Sequence, residues 1–121
     1  MAPKESKSHI PESTLLFEEK YPEIAECYKE IAAQQYNLFA AKMCDYGKGN
    51  ISVGTNLETE EELKLSLTGI WFRCQDKINR LKNLVLLNQR PKITNESVVD
   101  SYQDLSIYGI IAQIVMKGKW K

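Results

Sequence analysis

The chain has 121 residues, enough for one domain with its own hydrophobic core. Its 16 basic and 16 acidic residues cancel, which argues against nucleic-acid binding through a broad basic surface. No apolar run approaches the roughly 20 residues that span a bilayer. The three cysteines are scattered without a CxxC spacing, which is typical of a reducing compartment, so we expect a cytoplasmic protein.

The first residues of the chain are expected to lie outside the folded domain. Residues 1–12 are polar and contain two prolines, so they predict a flexible tail, which is followed by a single domain from residue 13 to residue 121. Ser13 or Thr14 is expected to cap a short helix that runs to Lys20.

Two long helices are expected next, with a loop between them. Pro22 suits the first turn of a helix, and Gly47 follows the predicted end of that helix. Residues 46–56 contain three glycines and no hydrophobic period, so they predict a loop. Thr59 precedes three glutamates that complement the positive end of a helix dipole, which predicts a helix as far as about Leu87.

Thr94 or Asn95 is expected to cap the last helix, which ends near Gly118. The predicted fold class is all-α, an antiparallel bundle of about four helices. Trp71 and Phe72 are adjacent, so one helix cannot bury both on a single face. Together with other apolar side chains they predict a homo-oligomer, either a homodimer or a homotetramer. The other apolar residues are Leu63, Leu67 and Trp120.

The last predicted helix carries carboxylates on its apolar face. Three acids at four-residue spacing give way to isoleucines on the same side of the helix. These residues are Glu96, Asp100 and Asp104, then Ile107, Ile111 and Ile114. Carboxylates at this spacing repel one another, and they are costly to bury without partners. The pattern therefore requires cations nearby, either basic side chains or a metal ion.

The other two long helices also bring charge toward the expected interior. On the first, the face formed by Ile24, Cys27, Ile31 and Leu38 continues to Lys42 and Asp45. On the middle helix, the apolar stripe consists of Ile70, Cys74, Ile78, Leu81 and Val85. Lys77 lies inside one edge of that stripe, Arg73 and Arg80 lie just outside it, and Asp76 sits further round.

Two arrangements can satisfy these charges. In the first, hard carboxylate oxygens bind Mg²⁺ or Mn²⁺, and the basic residues bind phosphates that the metal also contacts. The metal ligands would be Asp45, Glu96, Asp100 and Asp104, and the phosphate ligands would be Lys42, Arg73, Lys77 and Arg80. In the second, the same residues form a closed network of salt bridges that binds nothing.

Three segments of the chain form a joint pattern. They read KMCDYG, TGIWFRCQDKINRLKNLV and ESVVDSYQDLSIYGIIA. Together they resemble the nucleotide modification associated domain 1 family, which is common in bacteriophages. The first carries an Asp-Tyr pair, Asp45 and Tyr46. The second matches the family at Gly69, Arg73, Asp76, Lys77, Arg80, Leu81 and Leu84, and the third at Glu96, Ser97, Asp100, Asp104, Leu105 and Tyr108. The resemblance covers roughly residues 36–116.

That family is in turn similar to the all-α nucleoside triphosphate pyrophosphohydrolases of the MazG-like group, which are helical, usually oligomeric and dependent on Mg²⁺. The resemblance implies a role in phage nucleotide metabolism, in the host cytoplasm. This chain departs from the MazG-like pattern, because the acids of its last helix have i,i+4 spacing instead of i,i+3. The only cluster like the first MazG-like motif, residues 58–62, stands at a predicted helix start, where it suits capping.

Three functions remain open from the sequence. The first is a Mg²⁺-dependent nucleotide (pyro)phosphohydrolase, with Asp45, Glu96 and Asp100 in catalysis. Its substrate-binding residues would be Lys42, Tyr46, Arg73, Asp76, Lys77, Arg80 and Tyr108. The second is a non-catalytic binder that sequesters a signalling nucleotide, and the third is a helical interaction protein whose charges are structural. The predicted partner is therefore a nucleotide or another small phosphorylated ligand, and neither nucleic acid nor a membrane.

Overall fold

A computed structural model describes residues 9–92 and 97–121, and this part of the chain forms helices and no strands. In chain order the elements are α1 (Glu12–Lys20), α2 (Pro22–Tyr46), α3 (Gly49–Ser52), α4 (Glu60–Leu81), a π-helical segment (Lys82–Leu86) and α5 (Val98–Met116). The prediction of an all-α chain is confirmed for these residues. Within the described ranges, no helix combines the length and apolar character needed to cross a membrane.

Local capping chemistry fixes the starts of the helices. The Thr59 hydroxyl accepts a hydrogen bond from the Glu62 amide at 3.1 Å, as the sequence predicts for the start of α4. At α1 the predicted cap, Ser13 or Thr14, was two or three residues late, because the N-cap is Pro11. The helix begins at Glu12, and the Pro11 carbonyl accepts the amides of Thr14 and Leu15.

The start of α5 differs from the prediction. The helix begins at Val98, and the residue that caps it is Ser97. The predicted caps, Thr94 and Asn95, lie outside the described residues. Ser97 and Asp100 form a capping box, in which each side chain bonds to the backbone amide of the other. A carboxylate three residues after a serine was therefore the decisive signal for this helix start.

The prediction of an irregular loop over residues 46–56 was wrong in its centre. One turn of helix, α3, forms there, and it buries Ile51 and Ser52. The Ser66 hydroxyl on α4 donates to the Ile51 carbonyl at 2.6 Å, and Ser66 is itself buried. Gly47 and Gly54 adopt positive φ on either side of α3, which glycine does at no steric cost. The glycine-rich stretch is thus a folded segment tied to α4.

The chain divides into two compact units, Met1–Leu38 and Phe39–Lys121, with the division inside α2. In the described part of the first unit, Lys29 of α2 pairs with Glu18 of α1 at 2.6 Å, and Ala25 is buried. The apolar face predicted for this stretch is largely exposed, since Ile24 retains 59% of its accessible surface and Ile31 48%. The prediction of a single domain over residues 13–121 stays a prediction.

In the second unit, α4 and α5 pack against each other in antiparallel directions. Lys77 pairs with Asp104, and Arg73, one turn earlier on α4, lies over the ring of Tyr108, one turn later on α5. Contacts that advance along one helix while they retreat along the other require antiparallel axes. The core around this contact includes Ile70, Ile107, Ile111 and Val115.

The packed face of α4 is rotated from its predicted apolar stripe. Ser66 and Ile70 are buried, whereas Ile78 and Val85 of the stripe are exposed. Arg73 and Lys77 follow Ile70 at helical spacing on the packed side, one residue from the stripe. Arg73 and Lys77, which the sequence placed at the edge of the apolar stripe, therefore belong to the face that packs against α5.

A π-helical segment ends α4. The Leu87 amide donates to the Lys82 carbonyl at 3.1 Å, an i→i+5 bond in place of the α-helical i→i+4 bond. Leu86, the last residue of this segment, and Leu87, which follows it, are 73% and 54% exposed.

The large aromatic residues divide between surface and interior. Trp71 and Phe72 are both exposed and contact each other edge to face, with ring centroids 5.2 Å apart. Trp120 is buried, so its predicted place among the exposed apolar residues was wrong. Its indole N–H donates to the Lys48 carbonyl at 3.1 Å, so the polar atom of the buried ring has a partner.

Candidate functional site

Basic residues of α4 face acidic and aromatic residues of α5 along the contact between the two helices. The Lys77 ammonium lies 3.0 Å from the Asp104 carboxylate, and both side chains are about one-quarter exposed. One turn along, Arg73 lies over the Tyr108 ring at 6.0 Å from its centroid. Helical spacing places these groups on the facing sides of the two helices. The first of these contacts is an ion pair, whereas the second joins a cation to a neutral ring.

Arg73 is held by neutral groups. One Nη2 hydrogen is donated to the Asn50 carbonyl of α3 at 3.1 Å, and the guanidinium approaches the face of Tyr108. Within the described ranges, no carboxylate forms an ion pair with Arg73. A guanidinium has five donors in a planar fork that matches a carboxylate or phosphate. Arg73 is therefore oriented by the protein while its charge is not neutralised by a described side chain.

A cleft of about 380 Å³ opens beside Arg73, within the unit formed by residues 39–121. Its size lies in the range of small-molecule sites, about 300–1,000 Å³. Its walls combine aromatic, aliphatic and basic side chains. They are formed by Phe39, Lys42, Met43, Tyr46, Gly47, Asn50, Ile51, Arg73, Lys77, Asp104, Ile107, Tyr108, Ile111 and Trp120.

The charge of the cleft is positive. Lys42, Arg73 and Lys77 are its cations, and Asp104 is the carboxylate among the lining residues. Because Asp104 forms an ion pair with Lys77, the remaining cations of the lining are Lys42 and Arg73. Asp100, outside the lining, interacts electrostatically with Lys42 without an ion pair. Such a site attracts a small anion, and aromatic walls favour an anion that also carries a flat ring.

Two of the four carboxylates predicted to bind metal, Asp100 and Asp104, have other partners in the structure. Asp100 accepts bonds from the Ser97 amide at 2.8 Å and the Ser97 hydroxyl at 3.1 Å. These two bonds, together with the charges of Arg80 and Lys42, hold the pKa of Asp100 below its usual value. Asp104 pairs with Lys77, and Asp45 is exposed.

In the part of the chain that the structure describes, no group of three His, Cys, Asp or Glu residues is placed to hold a metal ion. Glu96, the fourth predicted ligand, lies outside that part. The described carboxylates thus do not by themselves fit a Mg²⁺ site. Metal binding by Asp45, Glu96, Asp100 and Asp104 stays a prediction.

Five of the seven residues predicted to bind substrate line the cleft. They are Lys42, Tyr46, Arg73, Lys77 and Tyr108. Asp76 and Arg80 are not in its lining, and neither are Asp45 and Asp100. Asp76 is exposed, whereas Arg80 lies near Asp100 at the start of α5. The cleft thus gathers three of the four predicted phosphate ligands, Lys42, Arg73 and Lys77, together with one predicted metal ligand, Asp104.

Several lining residues were not anticipated from the sequence. Phe39 could have been found, because it lies three residues before Lys42 and therefore on the same side of α2. Asn50 contributes its backbone carbonyl, for which a side-chain pattern gives no signal. Trp120 follows a turn at Gly118, where the Lys119 amide donates to the Ile114 carbonyl and the Gly118 amide to the Val115 carbonyl. Gly118 predicts that turn but not the direction of the next side chain.

The chain was compared with family models, curated proteins and solved structures. None of the three comparisons gave a match. The resemblance to the nucleotide modification associated domain 1 family therefore stays a prediction.

Proposed function

We propose that the cleft binds a nucleotide, or another small phosphorylated ligand that carries an aromatic ring. The observation that carries this proposal is that Arg73 is oriented by the fold but forms no ion pair with a described carboxylate. Its guanidinium is oriented by the Asn50 carbonyl and the Tyr108 ring, while no carboxylate in the described ranges pairs with it. A cation that the fold holds in place beside a cleft is a suitable ligand for phosphate.

The anionic end of the ligand would bind between Arg73 and Lys42. Both line the cleft, and neither forms an ion pair with a described carboxylate. Lys77 contributes less to the attraction because Asp104 lies 3.0 Å away. Two cations acting together favour a phosphate over a carboxylate, since a phosphate offers three or more acceptor oxygens.

The ring of the ligand would pack against the aromatic wall of the cleft. Four aromatic side chains form that wall: Phe39, Tyr46, Tyr108 and Trp120. Tyr46 is 72% exposed, so its ring is accessible to a ligand that enters from solvent. Base–aromatic stacking in nucleic-acid complexes is worth roughly 1–3 kcal/mol per base, and it tolerates different bases. The stacking contact therefore supports nucleotides as a class and does not select one base.

The geometry supports binding more directly than hydrolysis. A Mg²⁺-dependent hydrolase needs carboxylates free to hold the ion, and Asp100 and Asp104 are engaged with Ser97 and Lys77. Sequestration of a nucleotide needs only the cations and the rings. We therefore propose a binder, and turnover of the ligand is an outcome that the experiment below decides.

The test is a panel of ligands measured in EDTA and again with Mg²⁺. It should contain AMP, ADP, ATP, a cyclic dinucleotide and adenosine, with melting temperature and calorimetric affinity as the readouts. At least one phosphorylated ligand should stabilise the protein in EDTA, and adenosine should not. A ligand at 100 times its Kd stabilises by about 2.7 kcal/mol. Absence of binding across the panel would refute the proposal, whereas product formation that requires Mg²⁺ would identify a hydrolase.

We also propose a homodimer or homotetramer. Trp71 and Phe72 expose 58% and 60% of their surfaces side by side, and Leu15, Leu16 and Ile24 are each at least half exposed. Exposed apolar surface of this kind marks association sites. Light scattering at tens of micromolar should give a mass that is a multiple of 13.9 kDa. A monomer mass would refute this proposal and leave the ligand proposal unaffected.

A further inference from the structure

Three side chains from outside α3 donate hydrogen bonds to backbone carbonyls of the segment 48–51. The Trp120 indole N–H donates to the Lys48 carbonyl at 3.1 Å, and the Ser66 hydroxyl donates to the Ile51 carbonyl at 2.6 Å. Between these two anchors, Arg73 donates to the Asn50 carbonyl at 3.1 Å. The Asn50 and Ile51 carbonyls belong to the last residues of α3 and lack intrahelical partners, so side chains of α4 supply their donors. The Lys48 carbonyl also accepts the Ile51 and Ser52 amides, and the Trp120 bond adds to these two.

The two anchors fix the carbonyl that Arg73 uses. Ser66 is 1% exposed and Trp120 8%, so both donor side chains are buried. The Trp120 ring also packs near Phe39, with centroids 6.1 Å apart. An indole has a single hydrogen-bond donor and no acceptor, so the Trp120 ring satisfies its N–H only when that N–H points at the Lys48 carbonyl. With its ends held, the segment presents the Asn50 carbonyl at a constant position.

The Asn50 carbonyl in turn determines where the Arg73 fork points. One hydrogen of Nη2 is used by this bond, and the Tyr108 ring limits rotation of the guanidinium plane. The remaining donors belong to a group that lines the cleft. Preorganised donors lose less entropy when an anion binds than donors that must first be ordered.

We infer that Trp120 is a positioning residue for the anion site. It acts through the Lys48 carbonyl, α3 and the Asn50 carbonyl on Arg73, and Ser66 is the second anchor of the same device. This inference rests on the proposed function, since it assigns a role in ligand binding at the same cleft. The inference adds one claim to that function. Affinity for the phosphate group depends on the Trp120 indole N–H, although this N–H need not contact the phosphate.

The test compares Trp120→Phe with wild type, using inorganic pyrophosphate and ATP as probes in EDTA. Phenylalanine keeps a ring beside Phe39 and removes the donor. Affinity for both probes should fall about fivefold, the effect expected from the loss of one neutral hydrogen bond. Ser66→Ala should give a similar loss. Trp71→Phe is the matched control, because Trp71 is exposed and is not part of the cleft lining, and it should bind both probes as wild type does.

A double-mutant cycle with Arg73→Lys separates positioning from a general structural role. Lysine lacks the fork that the Asn50 carbonyl orients, so adding Trp120→Phe to Arg73→Lys should change affinity less than twofold. Equal losses in both backgrounds, or wild-type affinity in Trp120→Phe, would overturn the inference. A loss for ATP without a loss for pyrophosphate would also overturn it, because Trp120 would then contact only the ring.

Circular dichroism and the melting temperature of each variant show whether it is folded. If Trp120→Phe does not fold, Ser66→Ala carries the same test through the other anchor. Failure of the wild-type protein to bind either probe would overturn the proposed function together with this inference. Binding by the wild type with unchanged variants would overturn the inference alone.

Discussion

The two ends of the α4–α5 contact each place a basic side chain of α4 opposite a side chain of α5, but the two basic side chains have different surroundings. At the Asp104 end, the Lys77 ammonium lies 3.0 Å from a carboxylate, and the pair is close to neutral. At the Tyr108 end, Arg73 faces a ring and a backbone carbonyl, which orient its charge without cancelling it. One helix pair therefore carries a contact suited to holding α4 and α5 together and a contact suited to holding an anion.

This comparison shows that a basic residue on a packed face is not by itself a sign of function. Burial and helical spacing are alike for Lys77 and Arg73, since both are half-buried on the same side of α4. The group opposite each one decides its role. We first change the cation, then the group opposite it, and last the capping box at the start of α5, in order of decreasing expected effect.

Replacing Arg73 should have the largest effect on binding. Arg73→Gln removes the charge and the fork but keeps a donor near the Asn50 carbonyl. Hydrogen bonds to charged groups contribute about 1.5–3 kcal/mol, so affinity for the best ligand of the panel should fall roughly 10- to 150-fold. Calorimetry measures this change.

Arg90→Gln is the matched control for this variant, because Arg90 is exposed and is not in the cleft lining. It should bind as wild type does. Equal affinity of Arg73→Gln and wild type would show that the cleft does not bind the ligand through its anion.

Removing the negative charge from the Lys77–Asp104 ion pair should tighten ligand binding. Asp104→Asn removes the carboxylate opposite Lys77 and raises the positive charge of the cleft. The gain should be severalfold, on the order of 1 kcal/mol after solvent screening, because both side chains are about one-quarter exposed. The measurement is ligand affinity in EDTA at low and at physiological salt.

The metal-site hypothesis predicts a different result for the same variant. If Asp104 binds Mg²⁺, Asp104→Asn should weaken metal-dependent binding or turnover and should not tighten binding in EDTA. Measurements with and without Mg²⁺ on one preparation therefore distinguish the two roles of this carboxylate.

The capping box at the start of α5 should affect stability and not binding. Ser97→Ala removes the side chain that accepts the Asp100 amide, and loss of an N-cap typically costs about 1 kcal/mol. For a protein of this size that cost corresponds to a few degrees in melting temperature. A matching loss of ligand affinity would contradict the separation of roles between the two ends of the contact.

The smallest expected effect is the pH dependence that comes from Asp100. Its pKa is lowered in the folded protein, first by the Ser97 bonds and then by the charges of Arg80 and Lys42. The resulting stability is complete above the unfolded pKa of about 3.9 and is lost as the pH falls through the folded value. Asp100→Asn should therefore melt below wild type at pH 7, with a difference that disappears in acid. A difference that grows in acid would contradict this assignment.

Much of the fold was predictable because local chemistry controls it. The start of α4 follows from Thr59 and the acids after it, and α2 ends where glycine can adopt positive φ. The error at α5 also has a local cause. Asp100 was interpreted as part of an acid stripe, whereas its carboxylate completes the capping box with Ser97.

The candidate site was predictable only in part. Helical spacing correctly brought Arg73, Lys77 and Tyr108 toward one region, because those positions follow from the period of the helix. Spacing could not show which cation faces a carboxylate, since that depends on the register between α4 and α5. The position of the Asn50 carbonyl depends on how α3 packs, and the position of Trp120 depends on the turn at Gly118. The hydrophobic periodicity of the sequence does not predict either position.

The π-helical segment after α4 has a consequence for how this sequence should be aligned or redesigned. Its i→i+5 bond between Lys82 and Leu87 spans one residue more than an α-helical i→i+4 bond. A heptad or helical-wheel register of about 3.6 residues per turn, carried unchanged past Lys82, therefore misplaces the side chains within this segment, including Val85 and Leu86. Designed changes to these exposed apolar side chains should follow the π-helical register instead of the α-helical one.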